Sequence, residues 1–165
     1  MKKNIFLFLL IVLGTSAYSQ KILLHGNDLD RIEKACNLIK IHDPIIYESM
    51  VIHSIIQSYG HYTGNKYTST NMVEDNNYWI LIGRGTLSKR SINRLAGTIF
   101  HESLHMLLEL QRSRSGPIRK FSDLSENERK QEEIFVYNRT RELLVRLNTS
   151  DWEIKEYDKW ASAYY

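Results

Sequence analysis

The sequence predicts a mainly helical α+β domain with a small sheet, and three observations carry that prediction. Two long segments, about 91–112 and 125–147, repeat apolar residues at helical spacing behind Ser residues suited to capping. Between the leader and these segments, Tyr78-Trp79-Ile80-Leu81-Ile82 has the aromatic and β-branched density of a strand and stops at Gly83-Arg84-Gly85. No internal repeat, low-complexity tract or composition shift divides the chain, so residues 20–165 read as one domain.

Residues 1–19 read as a signal peptide. Lys2 and Lys3 precede nine apolar residues from Ile5 to Leu13, and Ala17-Tyr18-Ser19 offers small side chains to a signal peptidase. Cleavage near Ser19 implies a secreted or periplasmic chain. The apolar run is shorter than the roughly 20 residues a membrane span needs, and no other segment approaches that length, so stable membrane insertion is not expected. The net charge of +3 falls to +1 once Lys2 and Lys3 leave with an acid-free leader. A near-neutral chain gives no compositional case for nucleic acid, and Arg112, Arg114, Arg119 and Lys120 read as a solvated basic loop. Cys36, the single cysteine, reads as a small buried side chain on a helix.

Taken in order, Asn27 and Asp28 cap a first helix with Leu29, Ile32, Cys36 and Ile39 on one face. Asp43-Pro44 restarts a helix carrying Ile45, Ile46, Met50, Ile52, Ile55 and Ile56 to about Gly60, with strand as the rival for so β-branched a run. From His61 to Asn77 the Tyr, Thr, Asn and Gly content predicts short strands and turns, and the strand Tyr78 to Ile82 follows. Ser88 or Ser91 opens the next helix, which runs to about Arg112, and Gly116-Pro117 marks a loop. Ser125 with Glu128 is a capping box opening a second long helix that closes at Asn148. Ser150 with Glu153 repeats the signature and predicts a short last helix docking Trp152 and Trp160.

The chemistry concentrates in His101-Glu102-Ser103-Leu104-His105. On a helix, imidazoles four residues apart stack on one face and can share a metal, while Glu102 leans over its open coordination position. Glu102 is also the only charged side chain from Leu95 to Leu108. Two imidazoles and a carboxylate in so apolar a run need partners, and a metal supplies one. His25, His42, His53 and His61 read as surface or cap residues rather than ligands.

A zinc site that does chemistry takes three protein ligands and keeps one position for water, so the two histidines need a third partner. A motif continued as His-x-x-Gly-x-x-His is excluded, because Leu108 and Gln111 stand at the two key positions. Glu132 and Glu133 lie 27 and 28 residues past His105, in the first turns of the second long helix. Here the chain resembles the zincin metallopeptidases, over roughly Trp79 to Leu147, and within them the gluzincin branch, in which a downstream helix supplies a glutamate. The resemblance implies a zincin-like domain and one Zn2+ per chain, held by His101, His105 and a glutamate. Many gluzincins carry a small residue three positions after that glutamate, which Glu133 with Val136 fits better than Glu132 with Phe135. Glu133, Val136, Tyr137, Thr140, Leu144 and Leu147 also form one helical stripe, whereas Glu132 leads into Arg139 and Arg146. Glu133 is therefore favoured, with Glu132 as the alternative; Glu109, one turn past His105, is a weaker candidate.

The resemblance further implies hydrolysis of a peptide or protein substrate. The metal lowers the pKa of its water and polarises the scissile carbonyl, and Glu102 moves the water's proton to the leaving amine. Tyr137, Arg139 and Tyr157 are candidate oxyanion donors, and Tyr78 to Ile82 is where zincins place the edge strand that pairs with substrate. Two other classes compete with a peptidase. One is a catalytically inactive zincin-fold module that binds peptide or protein, and the other a non-metal envelope binding protein in which HESLH is accidental.

Overall fold

Ile32, Ala35, Cys36 and Ile39 recur at helical spacing and form the buried face of α1 (Leu29–His42). In the computed structural model, which describes residues 23–25, 28–59, 69–74, 77–114 and 120–162, this helix follows a short strand, β1 (Leu23–His25). The leader, Asn27, residues 61–68 and the Gly116-Pro117 loop lie outside the described residues. Asp28 does stand at the N-cap of α1, but in the left-handed region (φ 59°) and without a capping bond from its side chain. Cys36 is buried, and desolvation, with Glu33 nearby, pushes its thiol up to about 12.

Asp43 opens α2 (Pro44–His53) as expected, its carboxylate accepting from Ile46 N–H at 3.3 Å. The helix does not reach Gly60. It ends at His53, and Ser54–Tyr59 is β2. Ser54 marks the change, turning its hydroxyl back to the Met50 carbonyl at 2.7 Å. The next residues pair in parallel on both sides, with β1 and with β4 (Asn77–Gly83), so two ladders outweigh one more helical turn.

The sheet order is β1-β2-β4-β3, where β3 is Ser69–Glu74 and runs antiparallel to β4. Tyr78 to Ile82 is thus a strand as predicted, but an interior one rather than an edge. Tyr78, Ile80 and Ile82 turn to one buried face, and β1 and β3 hold the two edges, β3 on the β4 side.

A short helix, α3 (Arg84–Lys89), leads to α4 (Ile92–Arg114). Ser91 caps α4, its hydroxyl accepting from Arg94 N–H at 3.1 Å. Leu95, Ile99, Phe100 and Leu104 join Ile56, Ile80 and Ile82 in the core, and Val136, Leu143 and Leu147 complete it from α5 (Glu126–Arg146) and its C-cap. The predicted capping box is present, with Ser125 and Glu128 satisfying each other's backbone N–H. Asn148 takes a left-handed conformation (φ 51°) just after α5. Among the described residues no helix is long and apolar enough to cross a membrane.

The last helix, α6 (Asp151–Ala161), corrects the expectation for the tryptophans. Trp152 and Trp160 are 60% and 56% exposed, and docking falls to Glu153, Tyr157 and Ala161. Glu153 does not cap its own helix. Its carboxylate instead accepts from Ser91 N–H at 3.0 Å, the Ser91 hydroxyl at 2.7 Å and the Ser150 hydroxyl at 3.0 Å, tying α6 to the start of α4. Burial alone would raise its pKa, but these bonds and the charge of Arg94 outweigh that and hold it below the ordinary carboxylate value. A depressed folded-state pKa contributes stability above the unfolded value and loses it as pH falls through the folded one. Glu153→Gln therefore destabilises by roughly 1–3 kcal/mol at neutral pH. In urea titrations the gap to wild type closes on acidification, and a gap independent of pH contradicts the assignment.

Candidate metal centre

One turn of α4 separates His101 from His105, and their rings meet edge to face with centroids 4.9 Å apart. His101 is buried, and His105 and Glu102 are half-buried. Across from them α5 delivers Glu133, with Oε2 3.8 Å from His101 Nε2 and Oε1 3.6 Å from His105 Nε2. One ligand atom from each of the three lies within 4.8 Å of the others, so the group could hold a metal ion. Ligand bonds of 2.0–2.1 Å in a tetrahedral site imply separations of about 3.4 Å, close to the 3.6 and 3.8 Å between the Glu133 carboxylate and the two imidazoles.

The donor set fits a metal in a second respect. Each imidazole engages a different helix through Nδ1, which leaves both Nε2 atoms facing Glu133. His105 Nδ1 is 2.8 Å from Glu132 Oε1, and His101 Nδ1 is 3.1 Å from the Tyr157 hydroxyl. Glu132, the alternative third ligand, therefore has other work: one oxygen meets the far side of His105 and the other pairs with Arg112. Its helical position beside Arg139 and Arg146 suggested an outward carboxylate. In fact it is buried, at 9% exposure, because His105 and Arg112 both face it.

The close approach of α4 and α5 also has a different source from the one expected at Val136. A Cβ on Gly97, one turn before His101, would stand 2.5 Å from Leu144 Cδ2. The small residue is thus on the HESLH helix, and Val136 is accommodated in the core.

Burial sets the direction for two groups and is overcome at a third. Desolvation, assisted by His105 and Arg94, holds His101 well below the ordinary histidine value. It pushes Glu102 up to about 7, with His105 pulling down and Glu133 adding repulsion. Burial would lower His105 as well, but hydrogen bonds to Glu132 and Glu133 and the charges of Glu133 and Glu102 raise it to about 9. Glu132, Glu133 and Glu102 thus all favour positive charge at His105. A dication where the three ligand atoms converge favours neutral imidazoles and ionised carboxylates.

The other candidates fall elsewhere. Glu109 accepts from the Tyr78 hydroxyl at 3.2 Å and Phe121 N–H at 3.3 Å, bracing β4 and the turn Phe121–Asp123 against α4. Tyr137 donates to Asp158 at 2.5 Å, and Arg139 pairs with Asp43 and Glu142. Of the three proposed oxyanion donors only Tyr157 reaches the centre, where its hydroxyl meets His101. Arg112 belongs to α4 rather than to a solvated loop. Two aromatic rings flank the histidines that the sequence did not place at this centre: Trp160, 6.0 Å from His101, and Phe121, 5.2 Å from His105. Comparison with protein-family models, curated proteins and solved structures yields no match for this chain.

Proposed function

We propose that the chain is a secreted or periplasmic zinc metallopeptidase with a zincin-like, gluzincin-type centre. The observation that carries this reading is the convergence of His101 Nε2, His105 Nε2 and a Glu133 carboxylate oxygen beside Glu102. Zinc bound by these residues would supply an acidified water and a Lewis acid for the scissile carbonyl. Glu102, directly after His101 on the same turn of α4, would receive the water's proton and pass it to the leaving amine. Glu133 and the two imidazoles would hold the metal, and Glu132, on the far side of His105, would serve outside the ligand set. The edge strand β3 borders α4 and takes the substrate-pairing role expected of β4: an extended peptide aligns along it by main-chain hydrogen bonds.

The mature protein should cleave a denatured protein substrate, stop on addition of a zinc chelator and resume when zinc is returned. Cleavage that persists in the chelator contradicts the proposal.

A further inference from the structure

Two arginines lie on the ligand face of α4 at matched distances, Arg94 seven residues before His101 and Arg112 seven residues after His105. Seven residues are close to two helical turns, so each arginine shares a face with its histidine. Both are at least half-buried. Each meets the same side chain that meets the histidine. The Arg94 guanidinium lies 4.5 Å from the centroid of the Tyr157 ring, whose hydroxyl meets His101 Nδ1. Arg112 Nη1 pairs with the Glu132 oxygen that His105 does not use.

We propose that this arrangement is a two-sided brace for the metal ligands: Tyr157 and Glu132 fix the Nδ1 atoms of His101 and His105, and Arg94 and Arg112 fix Tyr157 and Glu132. The inference rests on the metal-centre reading above and adds four positioning residues to it. Its chemistry is that of the imidazole tautomer. An ionised carboxylate only accepts hydrogen bonds, so the Glu132 contact requires a proton on His105 Nδ1 and leaves the Nε2 lone pair for the metal. The Tyr157 hydroxyl can donate as well as accept, so it fixes the orientation of the His101 ring, and it accepts from Nδ1–H in the tautomer that leaves Nε2 for the metal. Without a brace, each ring rotates and exchanges tautomers, and the metal must pay for ordering it.

Arg112 also separates the two glutamates by role. By taking one oxygen of Glu132 it turns the other toward Nδ1 and away from the metal side of the ring. Glu133 has neither contact and faces both Nε2 atoms. On the other side, Tyr137 stacks on Tyr157 at 5.0 Å and 21°, so the phenol is held by a ring from α5 as well as by a cation from α4.

The test is zinc affinity measured by competition with a chelator, together with the visible absorption spectrum of the cobalt-substituted protein. Glu132→Gln and Tyr157→Phe should each weaken zinc binding about 10–100-fold, the usual effect of losing an outer-shell partner. Arg112→Met should weaken it as well, Arg112→Lys should recover part of the loss, and the cobalt bands of Glu132→Gln should shift. A purely structural role predicts the opposite pattern: lower thermal midpoints with wild-type zinc affinity and cobalt bands, which overturns the brace. Should Glu132→Gln fail to fold, the Arg112→Met and Arg112→Lys pair decides the same question outside the ligand shell. A wild-type chain that binds no zinc refutes the metal centre itself. Wild type binding one zinc and variants binding it equally tightly refutes the brace alone.

Discussion

Glu133→Ala should lose zinc far more readily than Glu132→Ala. Removing Glu133 takes away the carboxylate that faces both Nε2 atoms, the proposed anionic ligand, so affinity should fall on the order of a thousandfold or more, about 4 kcal/mol. Removing Glu132 leaves the three ligands in place and costs their orientation, about 10–100-fold. The two residues are neighbours on α5 and both are largely withdrawn from water, so a general loss of charge or packing would affect them alike. Zinc release to a chelator measures the order, and the reverse order means that the other carboxylate is the ligand.

Glu102→Gln should keep the fold and the zinc while losing hydrolysis. Glutamine matches glutamate in shape but does not accept the water's proton. General-base catalysis is worth about 100–10,000-fold, so kcat should fall by that factor, roughly 3–5 kcal/mol in barrier. Wild-type cleavage by this variant refutes the role given to Glu102. The same variant separates an enzyme from a peptide-binding module, since a binder has no turnover to lose.

The parts of the fold written in local pattern were legible beforehand. HESLH with its uncharged flanks marked α4, and Ser125 with Glu128 marked α5, because periodicity and caps depend on residues within a turn or two of each other. What depends on distant pairing was not. Ile55 and Ile56 looked helical by continuity with α2, yet β2 exists because β1 and β4 lie on either side of it. Likewise, nothing in Tyr78 to Ile82 distinguishes an interior strand from an edge; the position of β3 decides it.

The candidate centre divides along the same line. His101, Glu102 and His105 follow from spacing on one helix, and the preference for Glu133 agrees with the geometry of the ligand group. The work of Glu132 was hidden, because it depends on which turn of α5 meets Arg112 and His105. A signal did exist: an arginine seven residues from each histidine, on the ligand face of α4 and just outside its largely apolar run Leu95 to Leu108. Gly97 was hidden for a related reason, since its value appears only where Leu144 crosses it. Trp160, expected to be buried by its size, is instead an exposed ring beside His101.

The central claim is a metal centre made by His101, His105 and Glu133, and the most direct test is the metal content of the mature protein purified without added metal. The account predicts zinc at close to one equivalent per chain, lost together in the His101→Ala, His105→Ala and Glu133→Ala variants. A wild-type chain that is folded and free of zinc, and takes up none when it is offered, contradicts it.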